Sequence, residues 1–554
     1  MSEALDAAVE KHRRGDIAGA REAARAGLAT SPDDVALLHF LGMIETRFGT
    51  RERAQELLER AVSAAPDFGP ALVSLARLHA QSENWAALAA LGQPAPEEPF
   101  GDEFLSLRAR ARHETGDRDG AASDLVALAS RRPADRTAMF GAARALADAD
   151  RFAEAEAAYR VILDGHPADN VALLGLTGLL ESLSRPADLA APFAAARKAG
   201  ADSALVALGE AISHREQGDF TAGLAALDAA RGVLPEATWQ QMRGALADRA
   251  GDEAAAFAAF TAMNAADLSA TPEAADGIRR YRDVLVAEMA ALKDTPPPAP
   301  PSEKRAPPLF LLGFPRSGTT LLDTFLMGHA GVQVHEERPF LEAAAVLGGT
   351  PQQRATHDVA GVAAMRAAYW QALDSETARP GALQVDKYPL ASARASLIHA
   401  LFPNAPILFA LRHPCDVALS CFMTRFRLNW GVASFLSLED TVVTYDRVMN
   451  LWTAARKQLP LKVHEVRYER LIAEPETLLR EVAAFAGIAF DPVMLDHSGT
   501  ARARGMIATP SHAQVAEPIY DRAVGRWRRY RSQLEPYLPM LKPWCDEFGY
   551  DLDG

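Results

Sequence analysis

The sequence is short of cysteine, of long apolar runs and of signal-like features at its start, and each shortage argues against a class of protein. Only three cysteines, Cys415, Cys421 and Cys545, occur in 554 residues, too few and too scattered for a disulfide framework or a zinc knuckle. This scarcity fits a reducing compartment. No stretch reaches the roughly 20 uninterrupted apolar residues that span a bilayer, and the first residues hold no apolar signal core. We therefore expect a cytoplasmic protein without a membrane span.

Basic residues are also in deficit. The sequence has 58 lysines and arginines against 72 aspartates and glutamates, a formal net charge of −14 at pH 7. General nucleic-acid binders need a cationic surface to displace counterions from phosphate, so no nucleic-acid partner is expected. Any anion site must be a local basic pocket. No histidine and cysteine cluster with metal-ligand spacing is evident, so the sequence predicts no metal.

Apolar and helix-favouring residues, in contrast, are plentiful. Apolar residues make up 49% of the chain and charged residues 23%, which is the profile of a soluble globular protein. Alanine is very frequent, which favours helix. A chain of 554 residues exceeds one ordinary hydrophobic core, so two or more domains are expected.

A repeat with a period of 34 residues runs through the first half of the sequence. Its landmarks are a small or polar turn residue, an alanine five positions later and a proline seventeen positions later. The sets are Gly15, Ala20 and Pro32; Gly49, Ala54 and Pro66; Gly116, Ala121 and Pro133; Asp150, Ala155 and Pro167; Gly218 and Pro235; and Gly251 and Ala256. Near Glu83 and Ser184 the unit is degenerate, with Leu88 and Leu189 where the alanine is expected.

This period in an alanine-rich, helix-rich sequence resembles the tetratricopeptide repeat over about residues 3–290. The resemblance implies antiparallel helix pairs that bind an acceptor protein or peptide, although some repeat arrays are only spacers. A helical bundle without repeats is the alternative.

A proline-rich segment, TPPPAPPSEKRAPP at 295–308, marks the predicted domain boundary because proline favours an extended, semi-rigid linker. Beyond it, LFLLGF (309–314) and ILFAL (407–411) are short apolar runs of the buried parallel-strand type, each followed by a turn and a helical stretch. The sequence thus predicts a repeat domain at 1–294, a linker at 295–308 and an α/β domain with a parallel sheet at 309–554.

The strongest chemical motif is LFLLGFPRSGTTLL at 309–322, in which a strand runs through a glycine-containing turn into a helix. Such a turn directs backbone N–H groups and the positive end of the helix dipole at one spot, where an anion is the natural occupant. Gly313 and Gly318 have the Walker spacing, but Thr319 stands where the Walker lysine belongs and Arg316 lies inside the loop.

The loop resembles the 5′-phosphosulfate-binding loop of sulfotransferases, and PRSGTTLL resembles that of the tyrosylprotein sulfotransferases and of bacterial sulfotransferases with N-terminal tetratricopeptide repeats. The resemblance covers about residues 308–545. It implies 3′-phosphoadenosine 5′-phosphosulfate (PAPS) as co-substrate, with no metal. The loop residues implied to bind it are Arg316, Ser317, Gly318, Thr319 and Thr320.

A second motif, FPNAPILFALRHPCDVALSCF at 402–422, places Arg412 at the carboxyl end of a buried strand and Ser420 on the following helix. It resembles the family's 3′-phosphate-binding element, in which arginine and serine hold the same phosphate. Tyr468 in VRYERL is implied as an adenine-side contact. A surface ion pair for Arg412 and a packing role for Ser420 are the alternatives.

The catalytic residues are implied by the resemblance. Glu337 in VHEERPFLE occupies the position of the catalytic glutamate, a general base for the acceptor hydroxyl. Glu336, one residue earlier on an extended segment, is expected to point to the opposite face. Arg316 contributes to catalysis as well as binding, and Lys387 in VDKYPL and Ser511 in TPSHAQ aid departure of the nucleotide.

The chain departs from the family pattern at two places. Pro339 stands where the family has an arginine two residues after the glutamate, and Glu517 stands where it can have a lysine. The segment GRWRRY at 525–530 is a candidate lid near the 3′-phosphate, since its arginines form a local anion-attracting patch; a solvated helix face is the alternative.

The resulting prediction is a sulfotransferase acting on an acceptor hydroxyl, with protein tyrosine ahead of a carbohydrate or small-molecule hydroxyl. The repeat domain is expected to recruit the acceptor and to be separable from the chemistry. A P-loop kinase or nucleotidase is disfavoured by Thr319, and a repeat scaffold with an inactive transferase fold is the remaining alternative. The sequence does not indicate an oligomeric state.

Overall fold

A computed structural model describes residues 3–92, 95–97, 99–183, 185–298, 300, 305–376, 379, 381–504 and 522–552. The chain divides into two compact units. The first comprises Met1–Glu181 with Asp188–Asp202, and the second comprises Ser182–Ala187 with Ser203–Gly554. No helix in these described ranges is long and apolar enough to cross a membrane.

The described residues between 3 and 202 are mostly helical. The α-helices are Glu3–Arg13, Ile17–Thr30, Val35–Phe48, Arg51–Ala64, Gly69–Gln81, Trp85–Ala89, Gly101–Glu114, Arg118–Arg131, Arg136–Asp148, Phe152–Gly165, Asn170–Ser182 and Ala190–Lys198, with a 3₁₀ turn at Pro186–Leu189.

The predicted repeat landmarks occupy the predicted structural positions. Gly15, Gly116 and Asp150 lie between paired helices with φ of +82°, +83° and +62°, the left-handed conformation that a tight turn requires. Ala20 and Ala54 are fully buried where helices cross. The helix pairs of the tetratricopeptide type are therefore confirmed.

The second unit begins with five further helices and continues into an α/β region. The leading helices are Ser203–Gln217, Phe220–Ala229, Glu236–Ala250, Glu253–Ala270 and Ala274–Ala291. The strands are β1 (Leu309–Gly313), β2 (Val332–Glu336), β3 (Leu383–Lys387), β4 (Pro406–Leu411) and β5 (Lys462–Arg467). The later α-helices are Thr319–Met327, Phe340–Gly348, Pro351–Ala355, Val359–Asp374, Ala395–Leu401, Pro414–Phe422, Leu438–Gln458, Tyr468–Ala473, Pro475–Ala486, His497–Arg504, Arg531–Leu534 and Leu538–Phe548, and the 3₁₀ turns are Leu292–Asp294, Pro389–Arg394, Val432–Leu436, Pro492–Leu495, Arg526–Tyr530 and Glu535–Tyr537.

The five strands form one parallel sheet in the order β2-β3-β1-β4-β5, which confirms the predicted α/β class. β1 is buried throughout, because Phe310 and Leu312 enter the core on one face while Leu309 and Leu311 enter the core on the other. The chain leaves β1 and β4 toward opposite edges of the sheet. A crevice therefore forms at the carboxyl ends of these two strands, where ligands of open α/β sheets bind.

The helices between 236 and 291 pack as part of the sheet-containing unit. Phe260 and Met263 share a hydrophobic core with Phe310 of β1. Asn264 Nδ2 donates to the backbone oxygen of Phe422 over 2.9 Å. The boundary between the two units lies near residue 202, although the sequence pattern changes later, at 295–308. The two boundaries differ because these helices bury apolar faces in the sheet-containing unit.

Candidate active site

The turn after β1 holds the chain in the conformation of an anion-binding loop. Arg316 and Gly318 have φ of +69° and +97°, and the helix Thr319–Met327 begins directly afterwards. A Cβ atom on Gly318 would lie 2.6 Å from Cδ2 of Tyr468, so only glycine fits here. The loop therefore brings the N-terminus of a helix to the crevice beside β1.

The residues predicted for the two ends of the nucleotide lie side by side. Arg316 Nε donates to Ser420 Oγ over 3.1 Å, and Arg412 Nη1 donates to the backbone oxygen of Arg316 over 3.0 Å. The Arg412 guanidinium carbon lies 4.8 Å from the ring centre of Tyr468. One compact cluster thus joins the loop after β1, the segment after β4 and the start of the helix after β5.

Two buried polar atoms of this cluster have no hydrogen-bond partner among the described residues. They are Ser317 Oγ and Arg412 Nε, on residues that are 2% and 6% exposed. Buried polar atoms in folded proteins are almost always hydrogen-bonded. Phosphate oxygens could accept from these atoms and from the helix N-terminus, so these residues fit a nucleotide that carries phosphate groups.

A group of carboxylates surrounds one lysine at the ends of β2 and β3. Lys387 Nζ lies 3.1 Å from Glu337 Oε1, 3.3 Å from Glu336 Oε1 and 3.5 Å from Asp323 Oδ2. The expectation that Glu336 points away from Glu337 is wrong. Glu336 is paired in register with Lys387, and a φ of +49° at Glu337 turns the next carboxylate back toward the same ammonium.

Lys387 lies beneath the loop rather than on the open surface. Its side chain is fully buried. Burial by itself would lower the pKa of Lys387, but the carboxylates of Asp323, Glu337 and Glu336 outweigh it and raise this pKa. The lysine is therefore a fixed cation that holds Glu337, whose side chain is 44% exposed. Its predicted role at the leaving group stays a prediction.

A buried carboxyl group adjoins this cluster. Asp386, which precedes Lys387 on β3, accepts a hydrogen bond from Tyr369 Oη over 2.9 Å. Burial raises the pKa of Asp386 to about 7, although the bond from Tyr369 opposes the change. Asp386 also lines the cleft described next.

A cleft of about 880 Å³ opens beside Glu337. Arg316, Thr319 and Thr320 line it near the predicted anion site. Glu337 lines it as well, so the candidate base faces open space next to the loop. Glu336 is not among the lining residues.

Two further predictions are not supported by the described residues. Ser511 and Glu517 lie outside the described residues. The expectation of an anion-attracting patch at 525–530 is wrong for Arg526 and Arg529, because their Nη2 atoms lie 3.0 and 2.7 Å from Asp248. Trp527, between them, is buried and stacks on His413 with ring centres 4.9 Å apart.

The fold assembles a histidine and cysteine group that the sequence spacing does not show. Potential ligand atoms of His413, Cys415 and Cys545 all lie within 4.8 Å of one another. A hydrogen bond with Cys545, together with burial, raises the pKa of Cys415. His413 Nδ1 also accepts from the Cys415 N–H, so the group is a buried thiol pair beside a capping histidine. A metal-free enzyme stays a prediction.

Sequence reasoning missed three contributors to the site. Asp323 is a buried carboxylate and the one charged residue in the helix Thr319–Met327. A charged residue within such a helix is unusual and could have marked Asp323 in the sequence. Asp386, inside a strand, carried a similar signal. The contribution of helix Ala274–Ala291 to the cleft had no local signal.

Comparisons with known proteins find similarity to sulfotransferases in the sheet-containing region. Residues 307–492 match the model of the sulfotransferase family. The chain is 23% identical over 263 residues to protein-tyrosine sulfotransferase 1 of Danio rerio, covering 45% of this chain and 73% of that protein. It is 30% identical over 257 residues to an uncharacterized protein of Aquifex aeolicus, covering 42% of this chain and 32% of that protein. The chain thus spans only about a third of the Aquifex protein.

Solved structures are similar to the two parts of the chain separately. The sulfotransferase domain of the Synechococcus PCC 7002 olefin synthase aligns with a TM-score of 0.32 and 23% identity, covering 46% of this chain and 98% of that one. A tetratricopeptide repeat protein from Parabacteroides merdae aligns with a TM-score of 0.23 and 17% identity, covering 43% of this chain and 96% of that one. Residues 307–492 thus match the sulfotransferase family model, and the described helices before them include pairs of the tetratricopeptide type.

Proposed function

We propose that this chain transfers the sulfuryl group of PAPS to an acceptor hydroxyl. One observation carries the proposal: a cluster of anion-binding groups around Arg316 and Arg412 lies next to a cleft that Glu337 also lines. Sulfuryl transfer needs both features, because the donor is an anion and the acceptor hydroxyl must lose a proton.

The donor end would be held by the residues that the resemblance implies. The loop from Arg316 to Thr320 would bind the 5′ end, and Arg412 with Ser420 would bind the 3′-phosphate. Bound PAPS supplies an activated sulfuryl group on its 5′-phosphate. The unpartnered Ser317 Oγ and Arg412 Nε support this assignment, because a phosphate oxygen at the 5′ end would satisfy the first atom and one at the 3′ end the second.

The acceptor end would be served by Glu337. Its carboxylate would accept the proton of the attacking hydroxyl, while Lys387 holds it at 3.1 Å. Arg316 would stabilise negative charge near the reacting centre, since its guanidinium lines the cleft and contacts Ser420. Lys387 and Ser511 would assist the departure of the nucleotide.

Protein tyrosine is the proposed acceptor. The similarity to protein-tyrosine sulfotransferase 1 supports it, and the tetratricopeptide-type helices supply a surface of the kind that binds proteins. A carbohydrate or small-molecule hydroxyl is the rival acceptor. The other rival is a repeat scaffold whose transferase domain binds nucleotide without turnover.

Incubating the full chain with ³⁵S-labelled PAPS and a cell extract tests the reaction and the acceptor together. The proposal predicts label on protein that is recovered as sulfotyrosine after digestion. Label on sugars or small molecules would assign the rival acceptor. Nucleotide binding with no transferred label would favour the scaffold, and transfer of ³²P from γ-labelled ATP would favour a kinase.

A further inference from the structure

The cleft beside Glu337 is not built from the sheet region alone. Its far wall is the helix Ala274–Ala291, which the 34-residue pattern assigns to the repeat region. Tyr281 and Leu285 of this helix line the same space as Arg316 and Glu337. A segment that sequence reasoning assigns to recruitment therefore lies within the catalytic unit.

Specific contacts fix this helix to the rest of the unit. Glu288 pairs with Arg354, and both side chains are less than a tenth exposed. Arg282, which lies six residues before Glu288 on the same helix, pairs with Asp440. Both ion pairs follow Tyr281 along the helix, and they fix this part of the helix against the rest of the unit.

The hydroxyl group of Tyr281 is the feature of this wall that points to a ligand. Its oxygen is buried and has no hydrogen-bond partner among the described residues. Burial raises the pKa of Tyr281, so the group remains a protonated donor. A buried hydroxyl without a partner, on a residue that lines a cleft, is suited to donate to a bound molecule once a side chain shifts to admit it.

Two arginines elsewhere in the lining of the cleft are occupied by ion pairs. Arg394 pairs with Glu342, and Arg338 lies 2.8 Å from Glu376. The remaining surface is rich in aromatic and apolar side chains, among them Tyr388, Phe426, Leu390 and Trp430. Trp430 is 59% exposed at the rim, with the Arg280 guanidinium carbon 5.4 Å from its ring centre. A sugar acceptor needs many available polar partners, whereas this surface suits a flat apolar body.

We propose that Tyr281 is a specificity-determining residue for the acceptor, a role that rests on the proposed sulfotransferase function. The acceptor it selects is a phenol that carries a hydrogen-bond-accepting carbonyl beyond the ring. The ring packs among the aromatic side chains, the phenol hydroxyl lies at Glu337, and Tyr281 Oη donates to the carbonyl.

Two phenols that differ only beyond the ring test this role in the full-length chain with saturating PAPS. N-acetyltyrosine methylamide carries carbonyl groups, and 4-methylphenol carries none. Tyr281→Phe is expected to lower kcat/KM for the amide by about 3- to 10-fold, the usual effect of one lost hydrogen bond, and to leave 4-methylphenol unchanged. Trp430→Ala is expected to lower kcat/KM for both phenols.

Controls separate failure of this role from failure of the proposed function. Tyr537→Phe, outside the cleft, should change neither phenol, and calorimetry should show unchanged affinity of Tyr281→Phe for 3′-phosphoadenosine 5′-phosphate. Equal losses for both phenols, or no loss for either, would overturn the role of Tyr281. A wild-type chain that sulfates sugars but neither phenol would overturn the acceptor class. A chain that sulfates no hydroxyl compound would contradict the proposed function itself.

Discussion

At the scale of single residues, the candidate site depends on two non-glycine residues in the left-handed conformation. Arg316 and Glu337 have φ of +69° and +49°, which is uncommon and costs about 1–3 kcal/mol each. Both line the cleft, and both contact other residues of the candidate site. Backbone strain at these positions therefore coincides with the groups assigned to the reaction.

The assignment of the base to Glu337 predicts the effect of Glu337→Gln. The amide keeps the shape of the side chain but removes the proton acceptor. Loss of a positioned general base typically costs about 10²–10⁴ in rate, so kcat should fall by that order. Nucleotide affinity, measured by calorimetry, should change little.

Glu336→Gln is the matched control at the neighbouring position. Its carboxylate also contacts Lys387 but does not line the cleft, so kcat should fall by a smaller factor. Near-normal turnover in Glu337→Gln together with lost turnover in Glu336→Gln would move the base by one residue. Normal turnover in both variants would place the base elsewhere.

The family resemblance predicted Arg316 at the 5′ end of a nucleotide and Arg412 with Ser420 at its 3′-phosphate. The structure places Arg316 within hydrogen-bonding distance of both other residues, while the functional roles stay predictions. The sequence could not show that Arg529 pairs with Asp248, since Asp248 lies 281 residues earlier in the chain. Such long-range pairs arise from packing between elements and leave no local pattern.

At the scale of elements, the tightest constraint is the contact between the loop after β1 and the helix Tyr468–Ala473. Gly318→Ala would add a Cβ atom 2.6 Å from the Tyr468 ring at a φ of +97°. We expect a lower unfolding temperature and at least a tenfold loss of affinity for 3′-phosphoadenosine 5′-phosphate, because the loop and Tyr468 both shift. Thermal unfolding and calorimetry measure the two effects.

Gly232→Ala controls for backbone strain alone. Gly232 has a φ of +88°, but an added Cβ would meet nothing within 4 Å. This variant should lose stability to a similar backbone cost while keeping nucleotide affinity. If Gly232→Ala weakens nucleotide binding as much as Gly318→Ala does, the contact with Tyr468 does not shape the loop.

Individual elements were predictable where a local pattern specifies them. The continuous apolar runs predicted β1 and β4, and the recurring turn residues and alanines predicted the helix pairs. The strand order β2-β3-β1-β4-β5 was not predictable from these patterns, because pairing between strands depends on crossovers rather than on any one segment.

At the scale of the whole molecule, the packing units and the sequence pattern divide the chain differently. The helices from 203 to 291 repeat like those before them, yet they belong to the sheet-containing unit. Arg425 forms a bidentate ion pair with Asp267, in which Nε and Nη2 each donate to a carboxylate oxygen over 2.8 Å. The proposed acceptor cleft and the proposed catalytic residues thus lie in one compact unit.

This division predicts the outcome of two truncations. A chain of residues 203–554 should fold, bind 3′-phosphoadenosine 5′-phosphate and sulfate a small phenol. A chain of residues 292–554 should be strongly destabilised, because it exposes the core that Phe260, Met263 and Leu285 cover and leaves buried Arg354 without Glu288. Circular dichroism, thermal unfolding and calorimetry compare the two. A stable 292–554 fragment with full activity would show that the helices are dispensable.

The central claim is that the cluster around Arg316 and Arg412 binds a nucleotide with phosphates at both its 3′ and 5′ positions. Calorimetry with 3′-phosphoadenosine 5′-phosphate and with adenosine 5′-phosphate measures the contribution of the 3′-phosphate directly. A buried hydrogen bond to a charged group is worth roughly 1.5–3 kcal/mol, so the bisphosphate should bind at least about tenfold more tightly. Equal affinities for the two nucleotides would contradict the roles of Arg412 and Ser420, and with them the assignment of PAPS as the donor.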